Sequence, residues 1–162
     1  MLYTLILYGF QQQIRFNTNH GFNNPPGSRW FNECLLSKFI TFARCSRTKN
    51  IEYCNMSFDK LIEKITPDTL VYADPPYRST LGVYNDGKRG FEGWTINHEH
   101  NLCMFLDKIN ERGSRFMLSY VLKVNDFYNK EIATWAANNN YNVIDIEIPQ
   151  GRYNNRKEVL IT

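Results

Sequence analysis

Leu70-Val71-Tyr72-Ala73-Asp74-Pro75-Pro76-Tyr77 is the stretch whose reading decides the fold. A short apolar run ends in an acid, and two prolines follow it. Proline fixes φ and has no N–H to give to a ladder, so the chain must leave a sheet at this point. The run before it reads as a buried strand. Asp74 and Tyr77 then fall at the carboxyl end of that strand, where open α/β sheets hold their ligands. The stretch is expected to be the lip of a site.

Working outward toward the C-terminus, Leu102, Phe105, Leu106 and Ile109 recur at i, i+3, i+4 and i+7. That spacing predicts a helix, with Asn97 as its N-cap and Gly113 just past its end. Ser114 to Ser119 reads as a second strand, and strand, helix and strand together predict a parallel, right-handed crossover. Ser119 would end beside Asp74 and face the same crevice. Tyr128, Ile132, Trp135 and Ala136 mark another helix, closed by Asn138-Asn139-Asn140. A strand over Tyr141 to Ile148, a basic turn over Pro149 to Lys157 and a terminal strand, Glu158-Val159-Leu160-Ile161-Thr162, complete the pattern. The last strand is expected to run antiparallel to its neighbour. Between Arg78 and Gly93 there is no periodicity, and glycines stand at 82, 87, 90 and 93. A loop of that length is functional or mobile in a compact domain. Its Tyr84, Lys88, Arg89 and Phe91 suit a nucleic-acid partner, on which the loop would become ordered.

Toward the N-terminus, Ser57 to Ile62 predicts a capped helical turn, and Asn50 to Asn55 a short strand. Leu35, Leu36, Phe39, Ile40 and Ala43 predict an amphipathic helix from Phe31 to about Thr48, with Lys38, Arg44, Arg47 and Lys49 on its other face and at its exit. The stretch from Gln11 to Gly27 is rich in amides and punctuated by Gly and Pro. It reads as extended pieces joined by a tight turn near Asn19 to Gly21. Gln, Asn and Arg are the side chains that read base edges, and Arg also clamps phosphate. A plain polar surface loop accounts for the same composition.

The chain has 162 residues, 43% of them hydrophobic and 15% aromatic, which predicts a folded globule rather than a disordered chain. A formal charge of +3 permits a polyanionic partner without demanding one. Cys34, Cys45, Cys54 and Cys103 form no C-x-x-C pair and match no zinc spacing, so small thiols in a reducing compartment are expected, and no metal. Met1 to Tyr8 is apolar but too short for a bilayer, and it lacks the basic lead of a signal peptide. The expected location is cytoplasmic.

Asp-Pro-Pro-Tyr at a strand end resembles motif IV of the amino-methyltransferases. Three further stretches sharpen the likeness. They are Gln12-Gln13-Ile14-Arg15-Phe16-Asn17 followed by Phe22-Asn23-Asn24-Pro25-Pro26-Gly27, the aromatic plus helix at Trp94 to Ile109, and the basic turn with its terminal strand. Together they resemble the C-terminal part of the Dam-type DNA adenine-N6 methyltransferases. The resemblance implies an α/β fold: a partial Rossmann-like sheet with helices on both faces, preceded by a DNA target-recognition segment. It places the end of that segment in residues 1–55 and the C-terminal part of a catalytic domain in 56–162. It implies S-adenosylmethionine as cofactor and double-stranded DNA as partner. Asp74 and the Pro75 carbonyl would bind the target amine, with Pro76 stiffening the turn. Asp74 and Ser119 would border the cofactor, and Tyr77 and Trp94 would enclose a flipped adenine. Arg15, Asn17, Asn19, Lys88 and Arg89 would contact DNA.

No G-x-G occurs in the chain. The family's Phe-x-Gly-x-Gly cofactor motif, which precedes the recognition region, is therefore missing. The expectation is a truncated enzyme, or one half of a split enzyme whose second polypeptide supplies the cofactor pocket. Two other readings stand beside it: a DNA-binding remnant without catalysis, and an amino-methyltransferase acting on RNA or protein.

Overall fold

The computed structural model describes residues 2–17, 19, 21–78, 94–146 and 155–162. These divide into two compact units. The first holds residues up to Asn55; the second holds 56–78, 94–146 and 155–162.

The first unit opens with helix α1, Leu2–Tyr8, and carries the longer α2, Glu33–Thr48. Asn32 caps α2 by accepting from the Leu35 N–H at 2.9 Å. None of the α2 residues is buried, and Leu36, Phe39, Ile40 and Phe42 are exposed. Between the helices the amide-rich stretch is tied to itself. Isolated bridges join Gly9 to Pro26 and Phe16 to Phe22. The Asn24 carboxamide donates to the Phe10 and Gln13 carbonyls at 3.1 and 2.7 Å. The backbones of Gly9 and Gly27 approach so closely that a Cβ on Gly27 would lie 2.7 Å from the Gly9 carbonyl oxygen. Both positions therefore need glycine. Residues 50–55 form no strand, contrary to the sequence expectation. A strand exists only through a partner's ladder, and no bridge reaches this stretch.

The second unit is built on a mixed sheet of β1 (Leu70–Ala73), β2 (Arg115–Val124), β3 (Phe127–Tyr128), β4 (Val143–Ile146) and β5 (Arg156–Ile161). The order is β1-β2-β5-β4, and β3 forms a hairpin with the end of β2. β1 and β2 are parallel, with Ala73 opposite Leu118. β5 runs antiparallel to both β2 and β4, as the terminal strand was expected to do. β2 continues to Val124, well past the predicted end at Ser119, because Val121, Leu122 and Val124 keep up the β-forming run until Asn125 turns at positive φ.

Helices α3 (Ile96–Glu111) and α4 (Lys130–Asn138) pack together on one face of this sheet. Leu102, Leu106 and Ile109 from α3 and Ile132 and Ala136 from α4 meet Phe116, Leu118, Tyr120 and Leu122, the alternate residues of β2. Asp107 joins the helices by accepting from Trp135 Nε1 at 3.0 Å and the Tyr141 hydroxyl at 2.8 Å. Thr95, not Asn97, caps α3: its side chain accepts from the His98 N–H while His98 Nδ1 accepts from the Thr95 N–H. At the other end Gly113 takes φ +76°, and bonds from Gly113 to Asn110 and from Ser114 to Ile109 close a Schellman turn. The expected glycine is in place.

The resemblance implies helices on both faces of the sheet. Among the described residues α3 and α4 share one face. The register puts Leu70, Tyr72, Met117, Leu160, Ile144 and Ile146 on the other. There Leu70 is 53% and Tyr72 62% exposed, so β1 is not the buried strand that the sequence predicts: it stands at the end of the strand order and only its Val71 and Ala73 side is partly covered, by the helices.

Candidate active site

Asp74 follows β1 directly, and the two prolines carry the chain off the sheet. Ala73 pairs with Leu118, so Ser119 stands level with Asp74 at the adjoining strand. The Tyr77 hydroxyl returns to donate to Asp74 Oδ1 at 2.6 Å. Its ring meets Tyr120 edge-on, with centroids 5.5 Å apart, and the Arg156 guanidinium lies 5.8 Å from its centre. Burial and then the bond to Asp74 push the Tyr77 phenol up to about 12, and a bond to the Ser119 hydroxyl works in the opposite direction. Asp74, Tyr77 and Ser119 are thus brought together. Asp74 is exposed, and its Oδ2 has no hydrogen bond among the described residues.

Beside the lip lies a cavity of about 410 Å³ bordered by Phe58, Leu61, Val71, Asp74, Pro75 and Trp94, a size within the range of small-molecule sites. Trp94 forms part of its wall and is only 7% exposed. One face of the indole is stacked on the His98 ring at 5.3 Å, so at most the other face is open to a base. The indole N–H is buried and has no acceptor among the described residues. A larger cavity, about 510 Å³, lies among Ser57, Asp59, His98, Asn101, Lys108 and Arg112 and contains none of the lip residues.

In the first unit Arg15, Asn17 and Asn19 are exposed. The Asn17 side-chain oxygen is committed to its own turn, accepting from the Asn19 and Gly21 N–H groups at 3.0 and 2.9 Å. That arrangement is an Asx turn, and it leaves Asn17 with its amide nitrogen alone for any outside contact. Lys88 and Arg89 lie outside the described residues.

Sequence reasoning missed a buried polar cluster directly behind the lip. Glu99, in the first turn of α3, is 1% exposed. It accepts from the Tyr120 hydroxyl and, at 2.7 Å, from the Asn129 carboxamide. Arg78, the residue after Tyr77, brings its Nε to 3.4 Å from Glu99 Oε2 and its Nη2 to 2.9 Å from Glu131 Oε2. The one sequence signal was Glu99 itself, a charge set among the apolar positions of a helix that is otherwise regular.

A two-strand parallel lip carrying Asp-Pro-Pro-Tyr, with an antiparallel last strand beside it, defines an amino-methyltransferase-like sheet. The chain belongs to the D12 class N6 adenine-specific DNA methyltransferase family, whose model it matches over residues 1–148. It is 36% identical over 168 residues to the type II methyltransferase M.FokI of Planomicrobium okeanokoites, covering 99% of this chain and 26% of that protein. Modification methylase LlaI of Lactococcus lactis subsp. lactis is 36% identical over 164 residues, and modification methylase StsI of Streptococcus sanguinis 34% over 170, with the same coverage. The chain thus spans about a quarter of the length of these relatives. S-adenosylmethionine is the methyl donor that the family implies. Among the described residues no helix is long and apolar enough to cross a membrane.

The raised Tyr77 phenol gives a testable sign. In the unfolded chain it ionises near 10, and in the folded chain near 12. Its contribution is complete below pH 10 and is lost as the pH rises toward 12. Tyr77→Phe should therefore flatten the fall of the urea midpoint above pH 10. An unchanged slope would show that Tyr77 does not titrate differently in the two states.

Proposed function

We propose that this chain is the amine-binding and DNA-facing part of a DNA adenine methyltransferase. The convergence of Asp74, Tyr77 and Ser119 at the carboxyl end of β1 carries this reading. S-adenosylmethionine supplies a methyl group activated by a sulfonium leaving group. The exocyclic amine of adenine is a weak nucleophile because its lone pair is delocalised into the ring. Hydrogen bonds from its two N–H groups to Asp74 and to the Pro75 carbonyl turn the nitrogen toward sp³ and aim the lone pair. The amine nitrogen would gain a bond to the methyl carbon as the carbon–sulfur bond breaks to leave a neutral thioether, and the methylated amine would then release its proton to water. Asp74 Oδ2 has no hydrogen bond among the described residues, and Tyr77 steadies Oδ1. Catalysis of this kind is positioning without a covalent enzyme intermediate. The amine is buried in stacked duplex, so the base must leave the stack to reach the lip. Tyr77, and the open face of Trp94, provide surfaces to receive it. Arg15, Asn19 and, through its amide nitrogen, Asn17 are exposed side chains of the first unit that suit DNA, with Lys88 and Arg89 as further contacts.

The described residues fit one side of a cofactor site. They supply acceptors, an apolar wall and an unpaired indole N–H, but no Gly-x-Gly cradle. A further polypeptide segment is proposed to complete the pocket. Three observations support it: among the described residues β1 lies at the end of the strand order, Leu70, Tyr72 and Ile144 are exposed on the second face of the sheet, and the chain covers a quarter of its relatives' length.

The test is transfer of labelled methyl from S-adenosylmethionine to duplex DNA, by the chain alone and with an added polypeptide carrying a Phe-x-Gly-x-Gly segment, followed by nucleoside digestion. Label in N6-methyladenine is the expected result. Label only in RNA or protein, or none with either preparation, overturns the proposal.

A further inference from the structure

The buried Glu99 cluster lies outside the reaction just described, yet it reaches the lip from behind. Four elements meet on one carboxyl group: α3 through Glu99, β2 through Tyr120, the N-cap of α4 through Asn129, and the turn after Asp-Pro-Pro-Tyr through Arg78. Asn129 uses its oxygen to cap α4, accepting from the Ile132 N–H at 3.1 Å, and its nitrogen to hold Glu99. Tyr120, bound to Glu99 by its hydroxyl, presents its ring to Tyr77. Arg78 is fixed three ways, by Glu99, by Glu131 and by the Phe127 ring 5.4 Å beneath its guanidinium. The Arg78 Nε and Glu99 Oε2 are both buried and, among the described residues, have no hydrogen-bond partner, so their ion pair is what compensates them. Tyr77 therefore has a restrained neighbour on both sides: Tyr120 against its ring and Arg78 next in the chain.

We infer that Glu99 is a positioning residue for the lip: through Arg78 and Tyr120 it fixes the turn that holds the Tyr77 hydroxyl on Asp74. The inference rests on Asp74 and Tyr77 being the amine-binding groups, but its structural half is tested without turnover. Glu99→Gln keeps an oxygen for Tyr120 and Asn129 and removes the charge that faces Arg78. A residue needed only for folding would lower stability and leave the lip alone. A positioning residue loosens the lip in a molecule that is still folded.

The experiment is NMR on the chain with labelled arginine and tyrosine. Exchange of the Arg78 Nε–H and of the Tyr77 phenolic proton is compared in wild type and Glu99→Gln, with core amides around Leu106 reporting the fold. Expected is faster exchange at both side chains while the core amides stay protected. Unchanged exchange at either side chain overturns the inference. If Glu99→Gln does not fold, Arg78→Gln becomes the probe, and an unperturbed Tyr77 proton there overturns it equally. In a preparation that transfers methyl, kcat should fall about 10- to 100-fold, the scale of a small misplacement of reacting groups, with KM for DNA unchanged. The double variant Glu99→Gln/Arg78→Gln should be no slower than the worse single one, because both act through one contact. Additive losses overturn the coupling. Absence of transfer by the wild type in every preparation counts against the enzymatic reading alone, since the exchange measurement still decides the clamp.

Discussion

Asp74→Ala is expected to reduce methyl transfer by about 10²- to 10³-fold, the usual result of removing one preorganised hydrogen-bonding group at a reacting centre. The side chain is exposed and, among the described residues, bonds to the Tyr77 hydroxyl alone, so the fold loses little when it goes. DNA binding should persist, because the exposed residues proposed to meet DNA belong to the first unit. Single-turnover rates with saturating DNA separate the two effects. Transfer that survives the substitution would remove Asp74 from the mechanism. Asp74→Asn is the sharper companion: its amide offers one acceptor and two donors where the amine needs acceptors, so it should be nearly as slow despite its shape.

The second large effect concerns stability. Leu106→Ala is expected to destabilise the second unit by about 3 kcal/mol, within the range for large-to-small changes in a closed core. Leu106 is fully buried between α3 and the inner residues of β2. Leu36→Ala is the control. Leu36 is also an apolar residue of an amphipathic helix, but it is exposed on α2, and its loss should cost no more than about 0.5 kcal/mol. Urea midpoints of the two variants decide. Equal effects would show that α2 carries a packed face in solution.

Those two leucines also show how far the sequence could be read. Periodicity named both helices, because a 3.6-residue repeat is a local property of the chain. It could not say which helix is buried, since burial depends on what the rest of the fold brings against it. The strand before Asp74, the glycine after α3 and the antiparallel last strand were legible for the same local reason. Prolines, a left-handed turn and alternation each leave a mark within a few residues. The cap of α3 was misplaced by two residues because Thr95 and Asn97 are both good caps, and only the extended backbone at Thr95 selects between them. Ser119 was placed beside Asp74 by counting from the crossover, and the structure joins it to Tyr77. The Glu99 cluster left only one local mark, an acid among the apolar positions of α3. Its contacts to Glu99 span 21 residues from Tyr120 and 30 from Asn129, and the Arg78–Glu131 pair spans 53, distances over which no local pattern runs. At Asn17 the sequence could not show that the side-chain oxygen is held by its own turn, which leaves the amide nitrogen for an outside contact.

The cysteines turn this architecture into a clock. Cys34, Cys45 and Cys54 are exposed, whereas Cys103 lies in the α3 core, where burial pushes its thiol up to about 12. At neutral pH the buried thiol is both shielded and un-ionised, so an alkylating reagent reaches it only when the helix lifts from the sheet. Intact mass spectrometry should show three adducts gained quickly and a fourth slowly, and Leu106→Ala should hasten the fourth alone. Four adducts at one rate would mean that the core opens as readily as the surface. A segment that docks on this unit and stabilises it would slow the fourth adduct, so its arrival can be timed without any catalytic turnover.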